Sequence, residues 1–459
     1  MASRAKRARI AAAVRPATPF PSGDALSYIL SFLDATFLLF VAPSVSREFR
    51  ACASDPLSWP EDVDVGGVAL GKLWLRQHLF PVGATRCKSF RSSGHWDECI
   101  GLQDSFIVHL GRCFPRLRAL DLPEYHVWND TLVEAFPLLE HITCQVVSHV
   151  DKVHQNLRSL LSNDFSVRDL GRVFPCLEKL DVDYCCALDR RTVIKDFRAE
   201  STSPHTVAFT PLLETLRVGF LYEHMTEALL SFCPNLNTIK IRASCMDNGL
   251  PHLLRHSRSL RHVEADELSV DVLHTLCSLG TDCHLESLVF GVCDETIHGD
   301  DIVELCQALP RLHTLAVPSS GVYDEHIADI ASALPHLVRL GVSHGLLSDK
   351  GLGAIKRGFK QLRDLDISNT TVTCHGVLDF LHTGPFSVPE PAPRRSSGNP
   401  RRRLVIDEEA FTFDTASFWE ARPDIDMVMV EDETADPKYF PCIMLLRQAY
   451  KRILAKHNH

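Results

Sequence analysis

Sixteen cysteines and 23 histidines give this 459-residue chain material for metal or nucleophilic chemistry, but their spacing supports neither. No Cys-x-x-Cys pair occurs, and adjacent Cys185 and Cys186 cannot make a zinc knuckle by themselves. Asp282-Cys283-His284 and Cys374-His375 resemble ligand pairs, yet neither has a second pair at metal-binding distance along the chain. Cys233, Cys277 and Cys306 fall inside apolar helical stretches, where cysteine behaves as a small buried hydrophobe. Scattered thiols without a disulfide framework fit a reducing compartment. The glycine-rich phosphate loop, the dinucleotide fingerprint, the Gly-x-Ser-x-Gly elbow and His-Glu-x-x-His are all missing. The chain therefore reads as non-enzymatic, with no metal and no cofactor.

What remains is recognition. A net charge of -10 argues against general nucleic-acid binding, which needs concentrated Lys and Arg to neutralise phosphates. No stretch approaches the roughly 18 uncharged apolar residues of a membrane span. The first residues are basic but lack the apolar core and cleavage site of a secretory signal. The expectation is a cytoplasmic or nuclear protein that binds neither nucleic acid nor membrane. Arg4 to Arg9 fits a nuclear import signal or a solvated tail equally well.

The elements that would position a recognition surface show in a repeat. A Pro followed by apolar residues two, five and seven positions on recurs as Pro115-Leu117-Leu120-Leu122, Pro137-Leu139-Ile142-Cys144 and Pro175-Leu177-Leu180-Val182. It continues through Leu213, Leu236, Leu260, Leu285, Leu312, Leu337 and Leu362 in steps of 23 to 27 residues, with a late copy at Pro423-Ile425-Val428-Val430. Leu-x-x-Leu-x-Leu ends in a short strand whose leucines point inward and whose intervening residues point outward. Helical spacing follows, as in Asp301 to Leu309 and His326 to Leu334. The next Pro turns the chain toward another strand. One unit cannot bury its own leucine face, so the units must stack into a solenoid.

The joints carry a resemblance. Met246-Asp-Asn-Gly-Leu250, Tyr323-Asp-Glu-His-Ile327, Ser348-Asp-Lys-Gly-Leu352 and Thr373-Cys-His-Gly-Val377 are similar to the Thr-Asp-x-Gly-Leu of cysteine-containing leucine-rich repeats. Phe232-Cys-Pro234 resembles the Cys-Pro link of that subclass. Where the joint has Asp, as at Asp247, Asp324 and Asp349, it is expected to accept hydrogen bonds from the first amides of its own helix.

Residues 20–59 form a small helical unit with more apolar surface than it can bury. Leu26, Ile29, Leu30 and Leu33 make one stripe, Phe37 to Val41 a second run, and Val45 and Phe49 a third short helix. The surplus implies a partner helix or packing onto the repeats. The order of Phe20-Pro21, Ile29-Leu30-x-x-Leu33-Asp34, Leu38-Leu39, Val45-Ser-Arg-x-Phe49 and Asp55-Pro-x-x-Trp59 resembles an F-box. The resemblance implies a fold or adaptor-contact role for Pro21, Leu26, Ile29, Leu33, Leu38, Val45 and Phe49. It implies a substrate receptor of a Skp–cullin–F-box ubiquitin ligase, with a Skp-type adaptor and, through it, a cullin as partners and an unknown protein as substrate. The intervals Pro21 to Ile29 and Asp34 to Val45, the latter containing Pro43, are each one residue longer than the family's. The alternative is a leucine-rich-repeat scaffold or regulator whose degenerate F-box plays no ligase role.

The expected layout is a basic disordered tail (1–18), an F-box (19–60), a connector with irregular repeats (61–110) and regular repeats (111–383). A disordered insertion (384–402) and last repeats with a capping helix (403–459) complete it. The fold class is an α/β solenoid: a curved parallel sheet on the concave face, helices outside, behind an all-helical module. Outward strand positions nominate Tyr184, Arg217, Lys240, Arg242, Glu264 and Asp266 as substrate-binding, with a cationic patch between acidic strips. Small residues from Ser287 to Ser343 lie alongside as a shallow uncharged stretch.

Overall fold

The computed structural model describes residues 26, 30, 33, 35–66, 73, 78, 80–93, 103–148, 152–166, 173–184, 212–221, 223–242, 249–280, 283–383, 385, 402–407 and 425–430. Tail 1–18, almost all of the insertion and the capping helix of 442–454 lie outside them. The chain divides into two compact units, Met1–Ser162 and Asn163–His459.

In the first unit a π-helical turn, Phe37–Val41, leads into α1 (Ala42–Val45). Helix α2 (Arg47–Ala53) and a 3-10 turn, Pro56–Ser58, follow. Val45 and Phe49 do not share one helix. Ser46 is extended between α1 and α2, and its hydroxyl accepts from Phe49 N at 3.2 Å, so an N-cap separates them. Pro43 lies inside a helical run that is continuous from residue 35 to residue 45, directly after the π-helical turn, and donates no backbone hydrogen bond there. Its carbonyl accepts from Arg50 Nε and Nη2.

Parallel strands follow in chain order: β1 (Asp62–Asp64), β2 (Ser89–Arg91), β3 (Ala119–Trp128), β4 (His141–Ser148) and β5 (Ser159–Ser166), of which the residues up to Ser162 belong to this unit. Helices α3 (Gln103–Cys113) and α4 (Asn129–Ala135) precede β3 and β4. Trp59 joins the helical module to the first rungs. Its ring lies 5.5 Å from Phe80 and 5.7 Å from Phe114, and its Nε1 donates to Ala53 O at 2.8 Å. Phe90 of β2 packs 5.9 Å from Phe114 in the same buried cluster.

Strands β2 and β5 escaped the sequence pattern for one reason. Cys87-x-x-Phe90-x-Ser92 and Leu157-x-x-Leu160-x-Ser162 end their triplets in serine, yet both serines are buried. Ser162 is tolerated in the core because its hydroxyl bonds the Cys144 thiol.

The second unit continues the plan. Among its described residues it runs β6 (Lys179–Tyr184), β7 (Thr215–Val218), α5 (Glu223–Phe232), β8 (Thr238–Ile241), α6 (Gly249–His256) and β9 (His262–Leu268). It proceeds through α7 (Val270–Leu279), β10 (Ser287–Cys293), α8 (Gly299–Ala308), β11 (Thr314–Ala316) and α9 (Asp324–Ala333). It ends with β12 (Arg339–Gly341), α10 (Asp349–Gly358), β13 (Asp364–Asp366), α11 (Cys374–Thr383), β14 (Arg402–Asp407) and β15 (Ile425–Val430). Each strand pairs in parallel with its neighbours in chain order, and equivalent leucines fall in register, as in Leu288↔Leu315, Leu315↔Leu340 and Leu340↔Leu365. All four are buried, each contributing about 1.5 to 3 kcal/mol relative to exposure.

Proline acts at the joints through a turn. Leu117, Leu139, Leu177, Leu236, Leu312 and Leu337 each donate a backbone N–H three residues back, placing Pro second in a four-residue turn. Its fixed φ suits that position.

The joint aspartates do something other than expected. Asp324 does not cap its own helix: its carboxylate accepts from Ser348 N at 2.8 Å and Ser348 Oγ at 2.5 Å, one repeat on. Asp349 does the same for Thr373 N at 2.7 Å and Oγ1 at 2.6 Å. The reason lies at the third helical residue. Where it is Asp301 or His326, its side chain satisfies the cap amide of His298 or Tyr323. Where it is Gly351 or Gly376, nothing local can reach, and the previous repeat's carboxylate fills the space a β-carbon would take. At Gly299 the roles reverse, and the His326 imidazole occupies the room left by the absent side chain.

Candidate functional site

Two surfaces were singled out in the sequence, one in each unit. On the helical module, Leu26 and Leu38 are buried and Leu33 and Phe49 half-buried, so these positions serve its own packing in whole or in part. Pro21 and Ile29 lie outside the described residues. Val45 is 57% exposed, and Val41 and Leu57 are also exposed. Leu57 was not anticipated. It is presented by the Asp55-Pro-Leu-Ser-Trp59 turn, in which Asp55 accepts from Leu57 N and Ser58 Oγ donates to Cys52 O. The helix spacing that identified the other positions carries no signal for a turn residue.

On the second unit, the outward positions of β6 to β9 form a row. Asp181, Arg217, Lys240 and Glu264 stand in register on successive strands. The expected cationic patch is not open charge. Arg217 Nη1 lies 3.2 Å from Asp181 Oδ2, and Lys240 Nζ 2.5 Å from Glu264 Oε2. The acids that the sequence placed as separate strips thus clasp the cations between them. The Arg217 side chain is only 16% exposed. One step further along the strands stand Arg242, which is engaged in contacts of its own, and Asp266. Asp266 forms no hydrogen bond or ion pair among the described residues, and burial pushes its carboxyl up to about 7 against the opposing pull of Arg242. The side chain of Tyr184 lies outside the described residues.

The neighbouring stretch differs from the shallow surface expected. Val289, Ala316, Pro318, Gly341 and Ser343 are buried although they occupy outward strand positions. Gly341 lies so close to Ala316 that a β-carbon there would approach its methyl to 3.1 Å.

Four buried thiols offer little reactivity. Burial pushes Cys87, Cys113, Cys144 and Cys306 up to about 12, so the nucleophilic thiolate is scarce at neutral pH. No group of three or more His, Cys, Asp or Glu placed to hold a metal occurs among the described residues. No helix among them is long and apolar enough to cross a membrane.

No protein-family model matches the chain, and no curated protein matches it either. Solved structures similar to it include a TLR13–ssRNA13 complex, at 16% identity and a TM-score of 0.30, covering 70% of this chain and 39% of that one. An internalin (inlF) of Listeria monocytogenes aligns at 13% identity and a TM-score of 0.30, covering 77% of this chain and 91% of that one. The chain thus spans well under half of the first of these. The leucine-rich-repeat architecture stands on the in-register ladder of buried leucines and the parallel strand order described above.

Proposed function

We propose that the chain is the substrate-recognition subunit of a Skp–cullin–F-box ubiquitin ligase. The helical module docks a Skp-type adaptor, which links it to a cullin, and the repeats hold a protein substrate. The observation that carries this reading is the helical module itself. It keeps Leu38, Leu39 and Trp59 inside while leaving Val41, Val45 and Leu57 exposed, an apolar surplus suited to a partner helix. The F-box-like order of residues 20–59 supports it. The chain performs no covalent step. It raises the effective concentration of substrate beside a ubiquitin-charged enzyme supplied by another subunit.

Co-expression with a Skp-type adaptor tests the reading. Gel filtration should show a complex that Val45→Asp with Leu57→Asp abolishes while the far-ultraviolet spectrum stays unchanged. These exposed positions are preferable to Leu38, whose burial makes any charge there a folding defect. A folded wild-type chain that ignores the adaptor would leave a repeat scaffold without a ligase role.

A further inference from the structure

The row on β6 to β9 contains an arrangement that stability alone disfavours. Arg217 and Lys240 are directly opposite each other on neighbouring strands, where like charges repel. Both are more than half withdrawn from solvent. Their flanking acids satisfy them only in part: Arg217 uses one of its five N–H donors on Asp181, and Lys240 one of its three on Glu264. Among the described residues nothing else accepts from either. The two adjacent, partly desolvated cations thus keep donors that their flanking acids do not use, and Arg242, just past the end of β8, adds positive charge.

We infer that this strand face takes an anionic group of a partner polypeptide, a phosphate or a carboxylate, bridging the Arg217 guanidinium and the Lys240 ammonium. The inference rests on the reading of the repeats as a substrate receptor and names the chemistry of what they receive. An oxyanion with several acceptor oxygens satisfies donors on both cations at once and relieves their mutual repulsion. Asp181 and Glu264 stay in place as outer partners, holding the two side chains in position. The raised carboxyl of Asp266 fits the same purpose, since its partly neutral form repels an incoming anion less than a full carboxylate would.

Isothermal titration of the full chain at constant ionic strength tests this with three probes: phosphoserine amide, N-acetylglutamate amide and, as the opposite charge, N-acetyllysine amide. Saturable binding of either anion is expected, weakened about 10- to 100-fold by the paired replacements Arg217→Met with Asp181→Leu and Lys240→Met with Glu264→Leu. Pairing avoids stranding a buried acid, and a matching far-ultraviolet spectrum verifies the fold. The tighter of the two anions identifies the partner group as phosphorylated or simply acidic. Anion binding that the replacements leave unchanged would overturn the inference. So would preferential binding of the lysine probe, lost in Asp266→Asn. The outcome is independent of the adaptor: a chain that binds the anion but no adaptor loses the ligase reading and keeps this site.

Discussion

Two glycines in one helix should respond to the same substitution with opposite sign. Gly351 and Gly353 both lie in α10, and replacing either by Ala gains helix propensity worth about 1 kcal/mol. At Gly353 the new methyl meets only the end of Arg357, whose Nη1 is 3.5 Å away and free to move aside. At Gly351 it overlaps Asp324 Oδ1 and the Leu347 side chain. Asp324 must then withdraw from Ser348 N and Oγ, two hydrogen bonds to a charged acceptor. Such bonds contribute about 1.5 to 3 kcal/mol each, and partial exposure puts these at the lower end. After subtracting the propensity gain, Gly351→Ala should cost about 1 to 3 kcal/mol, while Gly353→Ala should stabilise by up to about 1 kcal/mol. Denaturant midpoints measure the difference, and amide exchange in α9 and α10 locates it. If Gly351→Ala stabilises as much as Gly353→Ala, the cross-repeat carboxylate does not hold the joint.

Three further outcomes follow from individual environments. His154 is buried, its Nε2 lacks a partner among the described residues, and burial pushes its pKa down to about 4. The folded state therefore resists protonation, so stability is intact above pH 6.5 and falls by roughly 3 kcal/mol as pH drops from there toward 4; His154→Leu should flatten that slope in acid titrations. Asp266 has the opposite sign: its raised carboxyl favours the protonated folded state, so stability is lost as pH rises from about 4 through 7. Asp266→Asn should remove that loss, measured as a denaturant midpoint at pH 5 and pH 8. Trp59→Ala should destabilise the first unit by about 3 to 5 kcal/mol, and Trp59→Phe by clearly less, because the latter keeps most ring packing and loses mainly the bond to Ala53 O. Intrinsic fluorescence during urea unfolding reads both variants.

The repeats were legible because buried leucines at fixed spacing leave a direct trace in sequence. The ladder over Leu288, Leu315, Leu340 and Leu365 was foreseen from periodicity alone. Strands β2 and β5 were missed because Ser92 and Ser162 stand where the pattern requires an apolar residue, and only the folded state shows how Ser162 is satisfied. The joint aspartates were recognised as hydrogen-bond acceptors but assigned to the wrong amides. The partner of Asp324 lies 24 residues away at Ser348, and capping rules describe only neighbours within one helix. At the strand face the alternation was legible and the pairing was not. Alternation shows that Arg217, Lys240 and Glu264 face outward, whereas strand register decides which of them touch. Leu57 illustrates another gap, since its exposure comes from a turn that hydrophobic periodicity cannot see.

The most direct measurement is complex formation between the full chain and a Skp-type adaptor, with the Val45→Asp and Leu57→Asp double variant as control. The account predicts a stoichiometric complex for the wild type and none for the equally folded variant. A wild-type chain that elutes alone beside a competent adaptor, or a variant that binds as well as the wild type, would contradict it.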